Sequence, residues 1–415
     1  MYRPAPPATP SLWRQPRYLT WLLTDTAVGL ATQVQSFVLP LIVILLTADP
    51  ALAGTVAALG VGARVATTLL GGVLADRHDL RRLMVLSGAL GAGLVALMAL
   101  AYAAGLGVTA LAVLNALAGI RAGLLGVASD AALKQVVSSA QLPVASSANQ
   151  ARDAAVQLGA GPAGGALLVL GPVAALLSTA VVFATSALSA LALRGDFRPD
   201  RDPSTAGSAW REAADGVRWL WGQQVLRRIL CVAMLLNLGL TSGVTTLVYG
   251  LGVQGLDPAR IGLVTTAIGS AMLLGAVAAA RIVQDVPSGI VATVGMAMAG
   301  LSVAALPFVP GFWPTLAVLF VGTLGAPACN AALMSYFMHL VPRRLLGRAL
   351  SGATLLTTGA VPLSPVIAGL GLAWVGLTPT LMTAGAICLL AVLALLVDRG
   401  LRTLPRPADW PEPQA

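Results

Sequence analysis

Five ionisable residues, Asp25, Arg64, Arg121, Arg152 and Asp153, stand inside stretches that are otherwise almost wholly apolar. At the centre of a membrane helix such a group costs roughly 2.5–3.5 kcal/mol on insertion scales, so it is kept only where the protein compensates it. Three lipid-facing arginines would cost about 7–10 kcal/mol, comparable to the whole stability of a typical domain, and must instead face the protein interior or a water-filled cavity. An acid in a partly dehydrated cavity holds a proton more readily and a nearby arginine opposes this, so proton binding can follow conformation or a competing ligand. Asp25 and Asp153 are therefore the candidates for proton coupling, with Arg121 either tuning them or binding an anionic group. The same residues also fit a plainer role, in which Asp25 complements a helix N-terminus and Arg152 and Asp153 are interfacial. Arg64 suits a structural counter-charge equally well.

Little else in the chain is reactive. The two histidines, His78 and His339, stand in neither metal-ligand nor triad spacing, so an enzyme is not expected, and no metal or cofactor is implied. Cys231, Cys329 and Cys388 lie in apolar runs without paired spacing and read as small buried side chains.

The elements that must position these groups are membrane helices. The chain is 57% hydrophobic and only 10% charged, against roughly 25% charged residues in a soluble domain. Its formal charge of +9 is explained by basic cytoplasmic loops and not by nucleic acid, which is not an expected partner. Apolar runs separated by breakers give twelve spans, starting near residues 19, 53, 83, 108, 146, 172, 229, 260, 287, 313, 348 and 376. With both termini cytoplasmic, the basic residues between spans fall on the inner side and only Arg260 on the outer. The expected organisation is an N-terminal six-helix bundle (1–193), a cytoplasmic linker (194–228), a C-terminal six-helix bundle (229–398) and a disordered cytoplasmic tail (399–415). Within the linker, Trp210, Ala213, Ala214, Val217, Leu220 and Trp221 recur at helical spacing opposite Arg211, Glu212, Asp215 and Arg218, which describes an amphipathic surface helix.

An internal duplication supports the two bundles. One shift of 204 residues places Gly71, Val73, Ala75 and Arg77 on Gly275, Val277, Ala279 and Arg281, and also Val137, Ala145, Ser147 and Gly165 on Val341, Ala349, Ser351 and Gly369. Parallel repeats of this kind put a substrate site at the midplane between halves. On the first span Asp25, Gly29, Thr32 and Ser36 share a face with Gln33 beside them; on the fifth, Gln150, Asp153, Gln157 and Gly161 do the same. The expected cavity residues are Gln33, Ser36, Phe37, Arg64 and Gln157 in the first half, with Asn237, Thr241, Thr245, Tyr249, Asn330, Thr354 and Thr358 in the second.

Between the second and third spans runs Gly71-Gly72-Val73-Leu74-Ala75-Asp76-Arg77-His78-Asp79-Leu80-Arg81-Arg82. It resembles the loop signature of the major facilitator superfamily, with Asp79 and Leu80 where many members carry glycine and arginine. Gly161, Pro162 and Gly165 are similar to the Gly-Pro-rich signature that exporters of the superfamily carry on helix 5, although Gln157 and Ala166 replace expected glycines. Leu46-Thr47-Ala48-Asp49-Pro50, Leu142-Pro143 before Asn149, and Val341-Pro342 before Gly347-Arg348 resemble the subgroup of macrolide-efflux, multidrug-efflux and siderophore-export proteins. The resemblance implies an all-α polytopic membrane protein with the major facilitator fold, twelve helices in two six-helix bundles. It implies proton-coupled export of a small amphipathic compound, drug-like, macrolide-like or siderophore-like, across the cell inner membrane by a monomer. Gly72, Asp76, Arg77, Arg81, Arg82, Gly161, Pro162 and Gly165 would then serve conformational switching. An importer or uniporter of a metabolite, or a non-transporting membrane receptor or scaffold, are the other readings of the same pattern.

Overall fold

A computed structural model describes residues 12–138, 141–198, 218–341, 346–402 and 404–406. The described residues form helices and turns only. The first half holds α1 (Pro16–Thr47), α2 (Pro50–Arg77), α3 (Leu80–Ala103), α4 (Gly107–Val136), α5 (Leu142–Val169) and α6 (Pro172–Ala192). The second holds α7 (Gln224–Val253), α8 (Pro258–Asp285), α9 (Ser288–Ala305), α10 (Phe312–Leu340), α11 (Leu346–Thr358 and Leu363–Trp374) and α12 (Leu377–Val397). Eleven of these are long and apolar enough to cross a membrane. The twelfth, α5, has comparable length but carries Asn149, Gln150, Arg152, Asp153 and Gln157, and so is not apolar enough by composition.

Local chemistry sets the helix ends. Asp49 and Asp257 each precede a proline and cap α2 and α8, accepting from Ala51 N (2.8 Å) and Ala259 N (2.9 Å). Asp79 caps α3 through Arg81 N at 2.9 Å. Between the two parts of α11, Gly359 and Pro362 interrupt the helical ladder, because proline lacks the N–H and crowds the residue before it.

Small residues let helices approach within each half. A Cβ on Gly71 would collide with the Gly123 carbonyl, joining α2 to α4, and a Cβ on Gly275 would collide with the Leu324 carbonyl, joining α8 to α10. The duplicated glycines thus make the same packing contact in both halves. The halves meet at the ends of their helices remote from the α2–α3 loop: Gly54 abuts Pro365 and Gly369, Gly165 abuts Pro258 and Ala259, and Gly252 abuts Leu41 and Ile44. These close approaches reach no further toward the loop end than Gly269 against Leu158, 2.7 Å from a Cβ added to the glycine.

Two parts of the expected organisation differ or fall outside view. Disorder was expected from residue 399, but Arg399–Arg402 is a short helix and Leu404 is buried. The Leu404 and Pro405 carbonyls accept from Gly289 N and Ser288 N at 3.2 and 3.3 Å. The physical reason is the start of α9, whose leading N–H groups need acceptors that Pro287 does not supply by side chain. Residues 407–415 lie outside the described residues, as do Trp210, Arg211, Glu212, Ala213, Ala214, Asp215 and Val217 of the expected linker helix and Pro342 of the motif before α11. Residues 218–222 are helical and bury Leu220 with Leu226, Leu230 and Phe337.

The shared glycine contacts make a paired prediction. Gly71→Ala and Gly275→Ala should each destabilise the protein by about 1–3 kcal/mol through overpacking, read as a lowered thermal midpoint in detergent. Gly93→Ala, at a position with open space, should leave the midpoint unchanged or slightly raised.

Candidate functional site

A cavity of about 370 Å³ lies between the halves, walled by α1, α2, α4 and α5 on one side and by α7, α8 and α11 on the other. That size is at the low end for small-molecule sites. The break in α11 falls at this level, where Val361 and Pro365 join the wall. Pro40 inside α1 also lines it.

Of the residues expected here, Gln33, Ser36, Phe37, Arg64, Gln157, Thr241, Thr245 and Tyr249 line the cavity, joined by Arg121 and Gly161, which were expected in proton coupling and conformational switching. Four others stand elsewhere. Asn237 donates to the Thr357 carbonyl at 3.3 Å, tying α7 to α11. Asn330 is exposed on α10, and Thr354 and Thr358 are exposed with their hydroxyls donated back to Leu350 O and Thr354 O of their own helix. They were expected in the cavity for their polarity, and none of the four is part of its wall.

Several lining residues carried no expectation. Asn115 accepts from Gln35 Nε2 at 3.2 Å and donates to the Val56 carbonyl at 2.9 Å, so one amide joins α1, α2 and α4. Both Gln35 and Asn115 are polar residues in apolar runs, and the argument applied to the buried charges would have found them. Thr265 lines the opposite wall, its hydroxyl donated to Gly262 O at 2.8 Å.

Arg121 is buried in α4. Its Nη1 donates to the Ser87 carbonyl and hydroxyl at 3.2 and 3.0 Å, and its guanidinium lies 4.7 Å from the centre of the Phe183 ring. Its Nε has no partner, and no carboxylate reaches it among the described residues. Neither Asp25 nor Asp153 therefore pairs with it.

The two expected acids instead gather on Arg152. Arg152 Nη1 pairs with Asp25 Oδ2, joining α5 to α1, while Nη2 and Nε reach Asp153 Oδ1 at 2.6 and 3.2 Å. The Arg152–Asp25 pair is mostly enclosed, with 16% and 13% of the side chains exposed, whereas Asp153 is 66% exposed. Asp130 on α4 lies within electrostatic reach of all three. It escaped notice because α4 runs on to Val136, past the point where its apolar run stops. The Trp21 ring lies 5.9 Å from Arg152, and its indole N–H donates to Ser129 O at 3.0 Å, fastening the cluster to α4. Arg152 stands five residues before Gln157 on α5, about 7.5 Å along the axis from the cavity wall and toward the α2–α3 loop.

At the loop end, Asp76 and Arg77 are exposed and make no ion pair among the described residues. Arg81 donates to the Ala190 and Leu191 carbonyls, the last of α6, and Arg82 is exposed. Gly72 has open space around it. Gly161 and Gly165 form the α5 side of the contact with α8, where Gly161 meets Thr265 and Gly262. Pro162, between them, sits inside α5 without ending it.

Two six-helix bundles meeting around a cavity between them make up the fold of a membrane transporter built from repeats. The chain belongs to the Major Facilitator Superfamily, whose model matches residues 22–260 and 230–415. The fold is shared with the nucleoside transporter NupG (TM-score 0.72, 12% identity, covering 91% of this chain and 99% of that one). It is shared too with a POT family transporter solved with 5-aminolevulinic acid (TM-score 0.74, 12% identity, 91% and 95% covered). A bacterial homologue of the iron transporter ferroportin, solved in an inward-facing state, aligns with TM-score 0.69 and 18% identity over 93% and 98% of the chains. No curated protein sequence matches.

The charge cluster predicts an order of stabilities. Arg152→Gln leaves carboxylates crowded without a cation and should lower stability by about 1–3 kcal/mol, between the exposed and buried limits for such pairs. Asp25→Asn leaves Arg152 paired with Asp153 and should cost less. Thermal melting in detergent that reverses this order would remove Arg152 as the charge the cluster depends on.

Proposed function

We propose that the protein is a proton-coupled exporter that carries a small amphipathic compound across the inner membrane by alternating access, acting as a monomer with both termini cytoplasmic. The observation that carries this reading is the sharing of Arg152 between Asp25 and Asp153, with Asp130 in electrostatic reach, within membrane-spanning helices. One guanidinium balances one carboxylate, and the negative charge left over favours uptake of a proton. Asp25 is the first coupling residue and Asp153 the second; Arg121, far from any acid, contributes to the cavity and not to the cluster. Because α5 bears Arg152 and also packs on α8 of the other half, movement between the halves alters the surroundings of the pair.

Gly161, Pro162 and Gly165 supply a close, small-residue seam about which α5 and α8 move. The helix-5 resemblance and its place on this seam support export. The basic residues Arg14, Arg17, Arg77, Arg81, Arg82, Arg194, Arg227 and Arg228 cluster at the α2–α3 loop end, against Arg260 at the other, which supports a cytoplasmic loop end. Asp76 and Arg77, with Gly72, Arg81 and Arg82, then engage the second half when that end closes. A potential of 100 mV contributes roughly 2.3 kcal/mol per charge, enough for one proton per cycle to sustain a gradient of nearly two decades.

The test is dissipation of a pH gradient in inside-out vesicles, challenged with macrolides, dyes and siderophore-like compounds. A compound that releases the gradient at least tenfold faster in wild type than in Asp25→Asn is expected. Equal release by the variant removes Asp25 from coupling, and flux indifferent to the gradient contradicts antiport.

A further inference from the structure

The charges of this chain are sorted by position. Asp25 and Asp153 pair with Arg152, whereas the cavity is lined by two charged residues, Arg64 and Arg121, and by no carboxylate. The remaining polar wall is neutral: amides such as Gln33, Asn115 and Gln157, and hydroxyls such as Thr241. The Arg64 guanidinium has no hydrogen bond or ion pair among the described residues, and the residue is exposed. Behind it, buried Arg121 spends one nitrogen on Ser87 and keeps Nε unpartnered. Both line the one cavity, Arg64 from α2 and Arg121 from α4, two helices packed so closely that a Cβ on Gly123 would collide with the Arg64 carbonyl.

Among the described residues no carboxylate neutralises either guanidinium, and a bound anion is the partner that would balance their charge beside the cavity. A cationic cargo would meet repulsion from both. The facing wall, with Val244, Val248, Ile268 and Tyr249, carries no charge. We propose that the cargo is a small amphipathic organic anion, a carboxylate or comparable acid, whose negative end docks at Arg64 with Arg121 behind it and whose apolar body lies against α7 and α8. This deepens the export reading by naming the substrate class, and it rests on that reading only for the direction of movement.

The test uses three probes with one apolar body and different charge: 1-naphthoate, 1-naphthamide and 1-naphthylmethylammonium. Each is titrated by calorimetry into the full-length protein in detergent. Naphthoate should bind at least tenfold more tightly than the amide, and the ammonium more weakly than either. Arg64→Gln should abolish the preference for naphthoate, while Arg64→Lys should retain most of it. Equal binding of the three, binding of none, a preference for the ammonium, or an unchanged preference in Arg64→Gln would each overturn the proposal. Binding at equilibrium needs no gradient, so failure of the vesicle experiment alone leaves this result intact, and failure here leaves proton coupling intact.

Discussion

The structure depends on enclosing one helix that cannot face lipid. α5 carries three amides, Asn149, Gln150 and Gln157, together with Arg152 and Asp153 through the membrane region, and such groups need partners inside the protein or a water-filled space. Arg152 answers Asp25 on α1, Trp21 covers the guanidinium, and Trp21 in turn bonds to α4. The other end of α5 gives up side chains altogether, so that Gly161 and Gly165 can lie against α8. One helix is thus held by charge in its own half and by close packing to the other, which makes it the mechanical link between the ion cluster and the seam.

Around that link the chain separates opposite charges. Around Arg152, carboxylates outnumber the guanidinium they share, whereas the charged residues that line the cavity, Arg64 and Arg121, are both positive. Had the acids lined the cavity, they would have neutralised Arg64 and Arg121 and left no preference for cargo charge. Under the proposals made above, keeping the two sets apart leaves each for its own small ion: a proton at the acids and an anionic group at the arginines.

Most of the architecture was legible because it follows from periodicity and composition. The twelve spans, the duplication and the α5 motif are repeated or extended patterns, and the duplicated glycines make equivalent contacts in both halves. The tail was misjudged because a polar, proline-rich segment can still be ordered by one buried leucine and two carbonyls. On α1 and α5, Thr32, Gln33, Ser36, Gln157 and Gly161 line the cavity, on helices whose charged residues suggested which face is inward, while Asp25, Gln150 and Asp153 of the same faces stand outside it. The second half offered no charge to fix the face, and Asn237, Asn330, Thr354 and Thr358 were chosen by polarity alone. Threonine satisfies itself on its own helix and needs no polar surroundings, so its presence says little about a cavity. Asn115 and Asp130 show the converse, polar side chains whose tertiary partners come from α1, α2 and α5 and cannot be read from α4 by itself.

The central claim is that the carboxylates around Arg152 sense protons and pass that state to the arrangement of the halves. It is tested most directly by the distance between spin labels at His78 and Asp285, the exposed ends of α2 and α8, in protein whose Cys231, Cys329 and Cys388 are replaced by serine. The account predicts a distance distribution that shifts between pH 5 and pH 8 in that background and that no longer shifts with Asp25→Asn. A distribution independent of pH before that substitution is made, or a shift that persists after it, would contradict the account.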